Sequence, residues 1–242
     1  LLAEFLGTGL LVAVVIGSGI AAQQLSPGDP GLQLLQNSLT TVFGLGVLIL
    51  LFGPVSGAHF NPVVSAVDWL LGRRTGTGLT GPDTLAYSAT QILGGIAGAV
   101  LANTMFDLPP LQLSEHARTG VALWIGEIVA TAGLIAVIVA LARTGRAALS
   151  AGAVAAWIGA AYWFTSSTSF ANPAVTISRM FSDTFAGISP ASAPMFVLAQ
   201  ILGAAIGALL AVALYPDAPC AADRVVVERD PQPTQVAETE MR

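Results

Sequence analysis

The sequence has no lysine: all nine of its basic residues are arginine, and nothing in the sequence explains that choice. It has one cysteine, Cys220, which excludes an intramolecular disulfide and a cysteine metal cluster. Its two histidines, His59 and His116, lack a second His, Cys or acid at ligand spacing, so no metal and no cofactor is implied. Charge is scarce. Asp, Glu and Arg make up 10% of the chain, against roughly 25% charged residues in a soluble domain. Much of the net charge of −5 comes from residues 216–242, which hold six acids and three arginines. The remainder is close to balanced, so no basic surface for nucleic acid is read.

What is abundant is apolar: 54% of residues are hydrophobic and the mean hydropathy is +0.75. Stretches free of Asp, Glu, Lys and Arg run over 30–67, 84–106, 147–178 and 184–216. A membrane-spanning helix needs about 20 apolar residues, so these stretches and the two before 22 and 142 place spans near 2–22, 36–53, 84–106, 121–142, 147–165 and 193–215. Pro54, Pro82, Pro109, Pro110 and Pro216 are read as punctuation at span ends. No cleavable signal peptide is read, because Glu4 interrupts the first apolar stretch and no basic segment precedes it.

The stretches 30–67 and 147–178 are too long for one span and too short for two. Each ends in a polar break, SGAHFNPVVSA at 56–66 and SFANPAVTISR at 169–179. Asn suits a helix N-cap and Pro the first helical turn. The roughly ten residues after each Asn-Pro therefore read as a half-helix of about 15 Å that starts inside the membrane.

The chain also repeats. AEFLGTGLLVAVVI at 3–16 resembles GEIVATAGLIAVIV at 126–139, so Glu4 matches Glu127. QILGGIAGAVLA at 91–102 resembles QILGAAIGALLA at 200–211, so Gln91 matches Gln200. Each half has three spans, an odd number, so the halves insert with opposite orientation, and such repeats place sites at the midplane. The half-helix N-termini, with Asn61, Pro62 and Val63 on one and Asn172, Pro173 and Ala174 on the other, then face each other. Their dipoles repel cations, and the loops before them offer carbonyl oxygens, which suits neutral hydrogen-bonding solutes. Glu4, Glu127, Gln91 and Gln200 are read as braces for loop N–H groups, and His59 as lining the approach. Arg73, Arg74, Arg143 and Arg146 share one side against Arg118 and Arg179 on the other, which puts both termini in the cytoplasm.

SGAHFNP, the second Asn-Pro-Ala and the paired Glu resemble the major intrinsic protein family of aquaporins and aquaglyceroporins over about 1–216. The resemblance implies an all-α membrane fold of six transmembrane helices plus two re-entrant half-helices in an inverted repeat. It also implies a pore in each subunit, a homotetramer in the cell membrane, and no enzymatic activity. Val63 stands where the family usually has Ala and is read as enlarging one wall at the waist. Val175 stands where most members carry a filter arginine. By the same correspondence the other filter positions are Ser169, Ala160 and either Thr41 or Phe43. Such a filter is wider and less cationic than a strict water filter. It implies passage of water plus glycerol-like polyols or metalloid hydroxides such as arsenite, with exclusion of ions and protons; NPAVTISRMFSDTFAGI resembles bacterial members associated with arsenic resistance. A strict water channel and a coupled secondary transporter are the alternatives. Arg179, one turn beyond Val175, is read first as a surface Arg179–Asp183 pair and second as a cation screen. Residues 217–242 read as a disordered cytoplasmic tail.

Overall fold

The computed structural model describes residues 1–73 and 76–216; the tail at 217–242, with Cys220, lies outside the described residues. The elements are α1 (Leu2–Leu25), α2 (Pro30–Ser56), α3 (Pro62–Gly72), α4 (Gly81–Met105), α5 (Val121–Arg143), α6 (Ser150–Phe164), α7 (Pro173–Arg179) and α8 (Ala193–Leu214). A single 3-10 turn, Ala147–Leu149, leads into α6. Among the described residues six helices are long and apolar enough to cross a membrane, counting α6 with that turn; α3 and α7 are not among them. The chain is an all-α membrane protein of six spanning helices and two half-helices.

Local chemistry sets the helix limits. α2 begins at Pro30, six residues before the expected 36, because Asp29 caps it by accepting the Leu32 N–H at 2.9 Å and Pro30 needs no acceptor at the first turn. Pro54 does not end α2, as the sequence reading has it. It sits inside the last turn, and the stop is Gly57, in the left-handed region at φ 84°, a conformation open to glycine at little cost. α7 stops at Arg179, three residues short of the expected 182, where Met180 N–H turns back to Ile177 O at 3.2 Å.

The two halves pack alike. α1 lies on α4 and α2, and α5 lies on α8 and α6. Small residues allow the closest approach: a Cβ on Gly98 would stand 2.0 Å from the Gly9 carbonyl oxygen, and one on Gly207 would stand 2.2 Å from that of Ala132. This is the packing by which helices associate where no hydrophobic effect drives them together. The halves then cross. α4 packs on α7, α3 on α8, and α2 on α6, so each half-helix is held by the third spanning helix of the opposite half. The outward faces are apolar, as lipid requires: Phe43 is 70% exposed, Leu50 65% and Leu209 70%.

Candidate functional site

The site begins at the two polar breaks. In the first, Gly57, Ala58 and Phe60 have φ of 84°, 48° and 50°; in the second, Thr168, Ser169 and Ala171 have 61°, 51° and 49°. These positions match one for one, 111 residues apart. Left-handed backbone costs about 1–2 kcal/mol at each non-glycine residue, and the loops' N–H groups cannot reach a helical partner. Two buried carboxylates answer both problems. Glu4 accepts from Ser56 Oγ at 2.6 Å, from His59 N–H at 3.0 Å and from Phe60 N–H at 2.8 Å. Glu127 accepts from Phe170 N–H at 2.8 Å and Ala171 N–H at 2.9 Å. Hydrogen bonds to a charged group contribute about 1.5–3 kcal/mol each, enough to offset the strain.

The glutamines bind the same carboxylates to the half-helices. Gln91 Nε2 donates to Glu4 at 2.7 Å and to Ser65 Oγ at 3.1 Å. Gln200 Nε2 donates to Glu127 at 2.6 Å and to Thr176 Oγ1 at 2.8 Å. His59 Nδ1 shares the Ser65 hydroxyl at 3.0 Å, and its ring meets Tyr87 edge-on at 5.5 Å.

The half-helices meet through their caps. Asn61 Oδ1 accepts from Val63 N–H at 3.1 Å while its Nδ2 donates to Ala171 O at 2.8 Å. Asn172 Oδ1 accepts from Ala174 N–H at 2.9 Å while its Nδ2 donates to Phe60 O at 2.8 Å. Each asparagine thus caps its own half-helix and ties it to the other half's loop. Pro62, Pro173 and Ala174 open the half-helices but do not line the cavity; Asn61 and Asn172 do.

One continuous cavity runs past both asparagines. α2 offers it Thr41, Leu45 and Ile49; α6 offers Val154, Ile158 and Tyr162. Both sets are spaced i, i+4, so one face of each helix turns inward. That spacing corrects two sequence expectations. Phe43 and Ala160 each lie two residues from a lining position, about 200° around the helix; both are exposed on the outside. Thr41 lines the cavity and its Oγ1 is 3.2 Å from Tyr162 Oη. Tyr162 and Ile158 were missed by counting back from Asn172, because that count crosses the loop 165–171, whose length no helical period fixes. Matching α6 to α2, 113 residues earlier, is the signal that finds them. Val63 also differs from expectation: it is 5% exposed within the core, and Val64, one residue on, faces the cavity instead.

At the Tyr162 mouth the wall is Ser169, Val175 and Arg179. Arg179 does not form the expected surface pair with Asp183. It is 2% exposed, its Nε donates to Ala186 O, and its guanidinium lies 3.4 Å from the Phe170 ring centroid. Asp183 instead accepts from Glu115 N–H at 2.9 Å. Arg118, from the loop between α4 and α5, sits 5.1 Å from the same ring and donates to Gly187 O and Phe185 O. Burial lowers its pKa to about 10, so it stays charged near neutrality. Among the described residues no group of three or more His, Cys, Asp or Glu could hold a metal ion.

A family model described as "Major intrinsic protein" matches residues 1–170. The chain is 51% identical over 218 residues to aquaglyceroporin AqpS of Rhizobium meliloti (strain 1021), across 90% of this chain and 91% of that one. It is 32% identical over 251 residues to the glycerol uptake facilitator protein of Pseudomonas aeruginosa, across 86% and 85%. The X-ray structure of the aquaglyceroporin from Plasmodium falciparum aligns with a TM-score of 0.59 at 20% identity, across 90% of this chain and 95% of that one; that likeness shows the fold.

Proposed function

The chain belongs to the major intrinsic protein family, and from that premise we propose that it is a passive channel for small neutral solutes: water, glycerol-like polyols and metalloid hydroxides such as arsenite. The observation that carries this reading is the continuous cavity past Asn61 and Asn172. Apolar side chains form most of its wall, no Asp or Glu among the described residues lines it, and loop residues on both sides of the waist border it. A neutral solute finds acceptors there without paying for a charge, whereas a cation meets two half-helix N-termini and Arg179.

The selective part of the path is the Tyr162 mouth, with Thr41, Ser169, Val175 and Tyr162 as its filter. Val175 leaves open the space an arginine would take. His59 and Val64 line the opposite mouth. Glu4, Glu127, Gln91 and Gln200 act as braces: all four are fully buried and none lines the cavity. Residues 1–216 form the channel domain and 217–242 a separate tail. The arginine distribution supports a plasma-membrane orientation with both termini cytoplasmic, so the Tyr162 mouth faces outward. The exposed apolar faces support assembly into a homotetramer within the bilayer.

Stopped-flow light scattering on proteoliposomes tests the function. Water, glycerol and arsenite should each equilibrate faster than in protein-free liposomes, with no dependence on a proton or sodium gradient. Uptake that requires a gradient, or no acceleration at all, would overturn the channel reading.

A further inference from the structure

Arg179 is used on its face and at one nitrogen only. The ring of Phe170 covers the face at 3.4 Å and Ala186 O takes the Nε proton. The two terminal nitrogens have no hydrogen-bond partner among the described residues, yet the residue is 2% exposed and borders the cavity. Ser169, the neighbour of Phe170 in the chain, borders the same mouth; it is 3% exposed and its buried Oγ has no hydrogen-bond partner among the described residues. The hydroxyls of Thr41 and Tyr162 complete that mouth. Among the described residues, the carboxylate that bears on the charge of Arg179 is Glu127. It stands behind the loop with its oxygens committed to Phe170, Ala171 and Gln200. Arg118, also within reach, adds a second positive charge.

A desolvated guanidinium with its outer edge free is a planar two-point donor, the geometry that matches a carboxylate. We propose that the Tyr162 mouth is a binding site for a small monovalent carboxylate, held by the free edge of Arg179 and the hydroxyl of Ser169. The site lies on the solute path of the channel reading and rests on that reading for its consequence: an occupied site slows the flow of neutral solutes.

The test is saturation-transfer difference NMR of formate with the full chain in detergent, a measurement that needs no transport. Wild type should give a saturable signal. Arg179→Gln, losing a charge-assisted pair, should weaken binding by about tenfold or more, and Ser169→Ala, losing a neutral hydrogen bond, by about threefold. Arg179→Lys keeps the charge without the fork and should fall between wild type and Arg179→Gln. Should Arg179→Gln fail to fold, Ser169→Ala and Arg179→Lys carry the test. No saturable signal from wild type, or unchanged affinity in the variants, overturns the site. The same formate concentrations should slow glycerol flux through wild-type proteoliposomes. Formate that binds without slowing an existing flux overturns the placement on the path. Absence of any glycerol flux instead overturns the channel reading and leaves the NMR result to decide the site.

Discussion

At the scale of single residues, opposite demands fall on side chains only a few positions apart. Glu127 is fully buried because its two oxygens satisfy two loop N–H groups and a glutamine amide. Glu127→Ala leaves those donors without an acceptor at about 1–3 kcal/mol each. The thermal unfolding midpoint in detergent should drop well below that of wild type, with Glu127→Gln, which keeps one acceptor oxygen, in between. Equal midpoints for all three would remove the bracing role. Val175 carries a different weight. Its side chain borders the mouth while its N–H donates to Asn172 Oδ1 at 3.3 Å, so Val175→Arg keeps that backbone bond and should narrow the path and add charge. Glycerol permeability should fall by about tenfold, a barrier of about 1.4 kcal/mol, while water permeability falls less. A proportional loss of both would place selection elsewhere.

At the scale of elements, the sequence is most legible where a helix is long and least where a loop intervenes. The charge-free stretches locate four of the six spanning helices, the apolar stretches before 22 and 142 locate the other two, and Asn-Pro locates both half-helices. Asp29-Pro30 is an N-terminal signal that apolar counting passes over, which is why α2 begins earlier than hydropathy suggests. Gly57 outranks Pro54 as a stop, since a proline in the last turn loses one N–H bond and a left-handed residue reverses the chain. The site is legible where residues adjoin the motif, as with Asn61, Ser169 and Val175. It is illegible on α6, because a two-residue slip, from Tyr162 to Ala160, turns a side chain from cavity to lipid. Arg179 shows the same limit: i, i+4 spacing proposes a pair with Asp183, but α7 ends at Arg179 and takes Asp183 off the helix. The glycine contacts supply a test of the inter-helix packing. Gly207→Leu places a Cβ 2.2 Å from a backbone oxygen that cannot yield without moving α5, so folded, monodisperse protein should be lost in size-exclusion chromatography. Gly152→Ala, where no atom lies within 4 Å of the new Cβ, should behave as wild type.

At the scale of the whole molecule, two halves of like design enter the membrane from opposite sides and close on each other through Asn61 and Asn172. Their symmetry breaks at the half-helix ends. Asp68 and Arg179 occupy matching positions 111 residues apart, and each fixes the loop that follows, Asp68 by accepting from Leu79 N–H at 2.8 Å and Arg179 by donating to Ala186 O. Only Arg179 borders the cavity, so the two mouths differ in charge. Orientation decides which mouth meets the environment. In intact cells, in a Cys220→Ser background, an impermeant thiol reagent should label Leu113→Cys, on the loop between α4 and α5, and leave Ala148→Cys, in the turn before α6, unlabelled; the reverse pattern would invert the protein. The central claim is that solute passes through the cavity of each chain by way of the Tyr162 mouth. Its most direct test is stopped-flow light scattering on proteoliposomes of Ser169→Cys in a Cys220→Ser background, before and after reaction with a methanethiosulfonate. Water and glycerol flux should fall to the level of protein-free liposomes on labelling and return on reduction, whereas unchanged flux through fully labelled protein would contradict the path.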